Sequence, residues 1–251
     1  LIRVILNGCN GKMGRVLAKL INEEKNMEVV AGIDREVDKF ENTFPVYSNI
    51  FSCLEKGDVL IDFSHPSTIK NTLDFCVETK TPIVTATTGL SGEETALFVE
   101  ASKSIPVFQS SNMAVGISVI IDLAAQAAKV LGNTFDIEII EKHHNKKVDS
   151  PSGTAYMIAN ALNETFQQKK EYVYGRHGKE DQRTENHIGI HAVRGGTIVG
   201  EHTVIFAGPD EIIEIKHTAL SKDIFALGAI RAAKFILNKK NGYYNMNDLI
   251  K

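Results

Sequence analysis

The chain has 251 residues, 43% of them hydrophobic and 24% charged, with a formal net charge of −3. That composition supports a sizeable core and excludes a disordered polyelectrolyte. The small negative charge gives nucleic acid or an anionic membrane no general attraction. With no Trp and 7% aromatics, few side chains could stack on unpaired bases.

No run approaches the ~18 uninterrupted apolar residues of a membrane helix. The opening Leu1-Ile2-Arg3-Val4-Ile5-Leu6 is too short for a signal-peptide core, so no membrane association is expected. Cys9, Cys53 and Cys76 are odd in number and lack CxxC spacing. This argues against a disulfide framework or zinc ribbon and suits a reducing cytoplasm. Cys9 lies in a glycine-rich loop with no evident base to activate it, so a buried or neutral thiol is expected.

Residues 2–6 form a β-branched apolar run that reads as a buried strand. Gly8-Cys9-Asn10-Gly11-Lys12-Met13-Gly14 follows, and then Val16, Leu17, Leu20 and Ile21 recur at helical spacing. Strand, glycine loop and helix is the context of a dinucleotide fingerprint, in which glycines admit a pyrophosphate and the helix start offers free N–H groups. The spacing departs from G-x-G-x-x-G, and an ordinary strand-to-helix turn fits it too. A second strand over 27–33 ends at Asp34-Arg35. An acid about 20 residues beyond the loop can accept both ribose hydroxyls of an adenosine. Asp34 favours NADH and Arg35 admits NADPH, so the pair points to mixed use.

Alternation continues with strands at 59–63, 82–84 and 106–108 and helices near 66–79 and 91–102. Such a pattern implies right-handed β-α-β units and an open parallel sheet, with ligands outside the carboxyl ends of its strands. Ala86-Thr87-Thr88-Gly89 and Ser110-Ser111-Asn112-Met113 fall at those ends and form a plausible nicotinamide-side wall. After residue 113 the pattern changes. A long apolar helix over 114–130 leads to strands at 135–141, 188–194, 198–206 and 211–217. The expected class is therefore α/β: a Rossmann-like domain over 1–113, completed by a C-terminal helix within 223–251, plus a smaller α+β domain over 114–222. The polar stretch 167–187 reads as an exposed loop.

The densest chemistry is Glu141-Lys142-His143-His144-Asn145-Lys146-Lys147-Val148-Asp149-Ser150-Pro151-Ser152-Gly153-Thr154-Ala155. It joins a strand to a helix striped by Ala155, Ile158, Ala159 and Leu162. Pro151 and Ser152 are helix-start signals, so N–H groups near Gly153 and Thr154 make an anion site. His144 and Lys147 add positive charge, and His143 suits acid–base work near neutrality. A solvated loop and a plain helix cap would use the same residue types. His187 and His191 are spaced four apart on a strand, about 13 Å, too far to share one ion; no metal is expected. His202 and His217 read as interface or packing residues.

From Glu138 to Ala155 the chain resembles the signature of the dihydrodipicolinate reductase family over its whole length. The loop at 8–14, Thr87-Thr88-Gly89, Arg194-Gly195-Gly196, Ile198-Val199-Gly200-Glu201-His202 and Asn247-Asp248-Leu249 extend the resemblance over essentially the full chain. The resemblance implies NADH- or NADPH-dependent reduction of 4-hydroxy-tetrahydrodipicolinate, via dihydrodipicolinate, to tetrahydrodipicolinate in diaminopimelate and lysine biosynthesis. It implies His143 as proton donor and acceptor, Lys147 as proton donor, and His144, Lys147, Gly153 and Thr154 on substrate carboxylates. Gly8, Cys9, Asn10, Gly11, Lys12, Met13, Asp34 and Arg35 would hold the dinucleotide, with Ala86, Thr87, Thr88, Ser110, Ser111, Asn112 and Met113 near the nicotinamide. It also implies a homotetramer assembled through the second domain's sheet, and two domains suggest hinge closure. Ala86 stands where that family commonly has Gly, and Met113 where it commonly has an aromatic. A different Rossmann amino- or imino-acid dehydrogenase, or a silent nucleotide sensor, would account for the first half alone.

Overall fold

The computed structural model describes residues 1–179 and 182–251. In chain order it contains β1 (Ile2–Asn7), α1 (Lys12–Glu23), β2 (Met27–Ile33), β3 (Val46–Tyr47), β4 (Val59–Asp62), α2 (Ile69–Thr79), β5 (Ile83–Thr85), α3 (Gly92–Ala101) and β6 (Pro106–Gln109). Then come α4 (Val115–Leu131), β7 (Asp136–His143), α5 (Gly153–Asn163), β8 (Glu171–Tyr174), β9 (His187–Arg194), β10 (Gly200–Ala207) and β11 (Ile212–Ala219). The chain closes with α6 (Asp223–Ile236), β12 (Gly242–Tyr244) and α7 (Met246–Ile250). Two compact units result, Leu1–Val115 with Asp223–Lys251, and Gly116–Lys222.

The first unit is built on a seven-stranded sheet of order β12-β6-β5-β4-β1-β2-β3, with every pair parallel. Its central strands are apolar on both sides because both faces are covered. Val4, Leu6, Val59 and Ile61 pack with Leu17 and Ile21 of α1 and Ala229 and Ala233 of α6. Ile5, Leu60, Ile83 and Val107 turn the other way, onto Leu73 and Cys76 of α2 and Phe98 of α3. Period-two alternation thus feeds two cores from one set of strands. A capping box between Ser91 and Glu94 starts α3, and Lys80, in the left-handed region at φ 57°, ends α2.

The second unit carries a mixed five-stranded sheet of order β11-β10-β7-β9-β8. β10 runs antiparallel to β7 and β11, whereas β9 runs parallel to β7 and β8. The predicted stripe of α5, Ala155, Ile158, Ala159 and Leu162, is fully buried and packs on β7.

Three short strands and one short helix escaped the sequence reading. β3 has two residues and β12 three, too few to show a period. β8 falls inside the stretch expected to be a loop; its Glu-Tyr-Val-Tyr pairs with β9 at the sheet edge, where polar flanks hide the signal. Residues 180 and 181 of that stretch lie outside the described residues. The helical segment Val115–Thr134 is long and apolar enough to cross a membrane by length and composition, with mean hydropathy 1.6. It is the long apolar helix expected over 114–130, and Asp122 and Lys129 interrupt its apolar run without offsetting the average. In the fold Ile117, Ile120, Ala124 and Ala128 of this helix are buried.

Candidate active site

In the first unit the site is made by strand ends. The chain leaves β1 through Gly8, whose φ of +80° and approach to the Phe63 carbonyl, 2.8 Å from where a Cβ would sit, require glycine. Gly11 precedes α1 with no side chain capping it, and no acid lies in the first turn. The helix start therefore keeps N–H groups and its positive dipole end for an anion. Gly14 lets α1 press on the loop: a Cβ there would lie 2.1 Å from the Gly8 carbonyl oxygen. Asp34, at the end of β2, accepts the Asn10 N–H through Oδ2 and the Glu36 N–H through Oδ1, both at 3.0 Å. These bonds orient the carboxylate beside the loop.

Gly8, Asn10, Gly11, Asp34 and Arg35 line one cavity of about 500 Å³ with Phe63, Ser64 and His65. Met13, Ala86, Thr87, Thr88, Ser111 and Met113 line a second, of about 320 Å³, which shares Phe63 and Ser64. The remaining residues of the expected set act differently. Cys9 turns its thiol inward against Gly32, and burial pushes its pKa up to about 12, so it offers backbone and no nucleophile. Lys12 is exposed. Ser110 and Asn112 tie their own loop: Ser110 Oγ donates to the Asn112 carbonyl at 2.8 Å, and Asn112 Oδ1 accepts the Ala114 N–H at 2.9 Å.

Sequence reading missed Asp62, which is 1% exposed. Its carboxylate accepts from Asn7 Nδ2 at 2.9 Å, Thr85 Oγ1 at 2.9 Å and Thr87 Oγ1 at 2.8 Å. It ties the carboxyl ends of β1, β4 and β5 beneath the second cavity. An acid closing an apolar strand was the available signal.

In the second unit Glu141 falls on the buried side of β7 with Ile137 and Ile139 and is 0% exposed. Oε2 accepts from His143 Nδ1 at 2.6 Å and Arg194 Nη1 at 2.8 Å. Oε1 accepts from Arg194 Nη2 at 2.7 Å and the Ser152 N–H at 2.9 Å. Burial opposes the charge, but hydrogen bonds from Arg194, His143 and Ser152 outweigh it and hold the carboxyl below its ordinary range. His143 is half-buried; burial lowers its pKa, Glu141 opposes that, and Lys147 and Arg194 assist it, leaving the imidazole below its usual value.

Ser152 caps α5 by accepting the Ala155 N–H at 3.2 Å, which presents Gly153 and Thr154 at the helix start. Lys147 is held by Asp149 at 2.8 Å. Lys147 first, and the Gly153 N–H among lesser contributors, lower the Asp149 pKa against the effect of burial. An exposed carboxylate of the chain thus already sits at the predicted anion site. His144 contributes its carbonyl to the Lys147 N–H at 3.1 Å. His191 pairs with Glu138 at 2.6 Å, and His187 Nδ1 accepts the Thr184 N–H at 3.3 Å; no cluster of metal-ligand type occurs among the described residues.

His202 lies edge-on to His143 with ring centroids 5.2 Å apart, and its Nε2 is 3.1 Å from Ser152 Oγ. Burial, reinforced by the charge on His143, pushes it down to about 4. A histidine that titrates near 6.5 when unfolded binds its proton more tightly there than in the fold. Its contribution to stability is therefore complete above pH 6.5 and lost as pH falls toward 4. Melting temperature is expected to drop across that window, less steeply in His202→Gln than in the parent; equal slopes would remove His202 from the account.

A doubly wound sheet with an open glycine loop and an acid at the end of its second strand, joined to a unit bearing a carboxylate-paired histidine at a helix start, defines an oxidoreductase of the dinucleotide-linked class. Family models describe the parts further: the dihydrodipicolinate reductase N-terminus matches residues 2–113 and the dihydrodipicolinate reductase C-terminus residues 116–250. The chain belongs to the dihydrodipicolinate reductase family. It is 56% identical over 251 residues to the 4-hydroxy-tetrahydrodipicolinate reductase of Caldanaerobacter subterraneus subsp. tengcongensis, covering 100% of this chain and 99% of the relative. It is 50% identical over 250 residues to that of Clostridium tetani, covering 100% and 97%. Among solved structures it is similar to a dipicolinate-bound dihydrodipicolinate reductase from Paenisporosarcina sp. TG-14, with TM-score 0.82, 26% identity and 99% of each chain covered. A diaminopimelate dehydrogenase of C. glutamicum, at TM-score 0.61 and 14% identity over 100% of this chain and 95% of that one, shares the fold.

Proposed function

We propose that the chain reduces 4-hydroxy-tetrahydrodipicolinate, by way of the cyclic unsaturated imine, to tetrahydrodipicolinate, using NADH or NADPH, in diaminopimelate and lysine biosynthesis. The observation that carries it is the Glu141–His143 pair fastened to the start of α5, an acid–base group beside an anion site. A reduced nicotinamide, when bound, supplies the hydride. Hydride added at one end of the conjugated imine leaves electron density at the other, and the imidazolium of His143 passes its Nε2 proton there. The N–H groups of Gly153 and Thr154 take a substrate carboxylate, with His144 beside them. Lys147 exchanges Asp149 for that carboxylate and serves as a second proton donor. A bound dicarboxylate brings negative charge to His143 and raises its proton affinity, opposing the effect of burial.

In the first unit Gly8, Asn10 and Gly11 with the start of α1 hold the pyrophosphate, and Cys9, Lys12 and Met13 complete that loop. Asp34 takes the ribose hydroxyls, and the exposed guanidinium of Arg35 receives a 2′-phosphate when NADPH is bound. Ala86, Thr87, Thr88, Ser111 and Met113 form the nicotinamide wall that Ser110 and Asn112 shape. Assembly as a cytoplasmic homotetramer through the second unit's sheet completes the proposal. Its support is β11, which has no buried residue and exposes Ile212, together with three free cysteines.

The purified protein is expected to oxidise NADH or NADPH only when the condensation product of pyruvate and aspartate semialdehyde is present; absence of turnover with both nucleotides would reject the function. In the same assay Asp34→Ala should raise the KM for NADH about tenfold, from loss of a charge-assisted bond, and that for NADPH less. Equal losses would contradict the ribose contact.

A further inference from the structure

Glu141 joins two things that the chemistry needs separately. Its four hydrogen bonds go to the ring of His143, to the N–H that begins α5, and twice to Arg194, filling the acceptor capacity of an ionised carboxylate. Arg194 also donates to the Asp149 carbonyl at 2.7 Å, so the same pair restrains the segment bearing Lys147.

We propose that Glu141 is a positioning residue: it fixes His143 as the Nδ1–H tautomer with Nε2 left for proton exchange, and it anchors the N–H array of α5 that receives the substrate carboxylate. The inference rests on the reading of His143 as proton donor. An ionised carboxylate cannot donate, so the nitrogen 2.6 Å from it must carry hydrogen. Nε2 then bears a proton only in the imidazolium, which is a far stronger acid than neutral imidazole. On the other side of the carboxylate, Ser152 is held by its N–H while its Oγ caps α5. One buried group therefore sets both the acid and the anion site, and no exposed side chain could do so with comparable rigidity.

Glu141→Gln separates this from a merely structural role. The amide oxygen best serves the Ser152 N–H and Arg194 Nη2, which places the NH₂ against His143 and demands that Nδ1 accept. Nitrogen-15 NMR of the histidine rings should show His143 as the Nδ1–H tautomer in the parent and the Nε2–H tautomer in Glu141→Gln. In that variant kcat should fall at least about tenfold, a part of the roughly 10²–10⁴-fold that a general acid contributes. Its dissociation constant for pyridine-2,6-dicarboxylate, used as the probe, should rise severalfold. Glu141→Asp, which keeps the charge, should restore part of both.

A parent enzyme with hydrogen on Nε2 overturns the proposal without any variant. So does Glu141→Gln with an unchanged tautomer, whatever its rate, or with a switched tautomer and kcat and dicarboxylate affinity within twofold of the parent. His143→Gln distinguishes the two levels. Normal turnover in that variant removes the proton-donor reading itself, whereas impaired His143→Gln beside an unaffected Glu141→Gln removes only the role of Glu141.

Discussion

His143→Gln is expected to lower kcat about 100-fold or more, the range of a lost general acid, while the fold and dinucleotide binding persist. The side chain is half-buried at the end of β7 and its Nδ1 bonds Glu141, so glutamine keeps a polar group beside that carboxylate. Lys147→Ala should cost kcat a similar factor and also raise the KM for the dicarboxylate. The ammonium pairs with Asp149 at 2.8 Å, and alanine leaves that carboxylate repelling the incoming one. Steady-state rates at saturating NADH, with circular dichroism as the folding control, check both. Rates within threefold of the parent for either variant would withdraw its role.

Gly14→Ala has the second large effect, and it acts on fold and function together. The new methyl would lie 2.1 Å from the Gly8 carbonyl oxygen and 2.7 Å from the Cys9 backbone. Backbone cannot yield as a flexible side chain can, so α1 must lift from the loop. The expected cost is about 3 kcal/mol, the upper part of the overpacking range, read from urea unfolding. NADH affinity should fall at least about tenfold, because the N–H groups of α1 no longer converge with the loop on one anion. A variant with parental stability and affinity would show that the close helix–loop approach is not what builds the site.

The loop at residues 8–14 was legible because backbone geometry there admits few residues, and glycine writes that constraint directly into sequence. Asp34 was legible by its place at the end of an apolar strand. The parallel sheet was legible because burial on both faces produces unbroken apolar runs. Glu141 was quoted within a motif, yet its role was not read. Counting two residues at a time from Ile137 places it on the buried face, but nothing local reveals that Arg194, 53 residues later, meets it there. Asp62 was hidden for the same reason: Asn7 and Thr85 reach it through sheet pairing. The strand β8 went unread because its partner, β9, lies beyond a polar segment and supplies the pairing that four residues cannot announce alone. Lys147 was read as positive charge added to the anion site, and the folded chain pairs it with Asp149. That ion pair depends on the turn the segment takes before α5 rather than on spacing.

The central claim is that the start of α5, with Lys147 and His143 beside it, receives a carboxylate of the substrate. A crystal structure with NADH and pyridine-2,6-dicarboxylate tests it most directly. The expected complex has a carboxylate on the N–H groups of Gly153 and Thr154, Lys147 released from Asp149, and His143 Nε2 facing the ring. A dicarboxylate bound away from α5, or seated there with Lys147 still paired to Asp149, would contradict it.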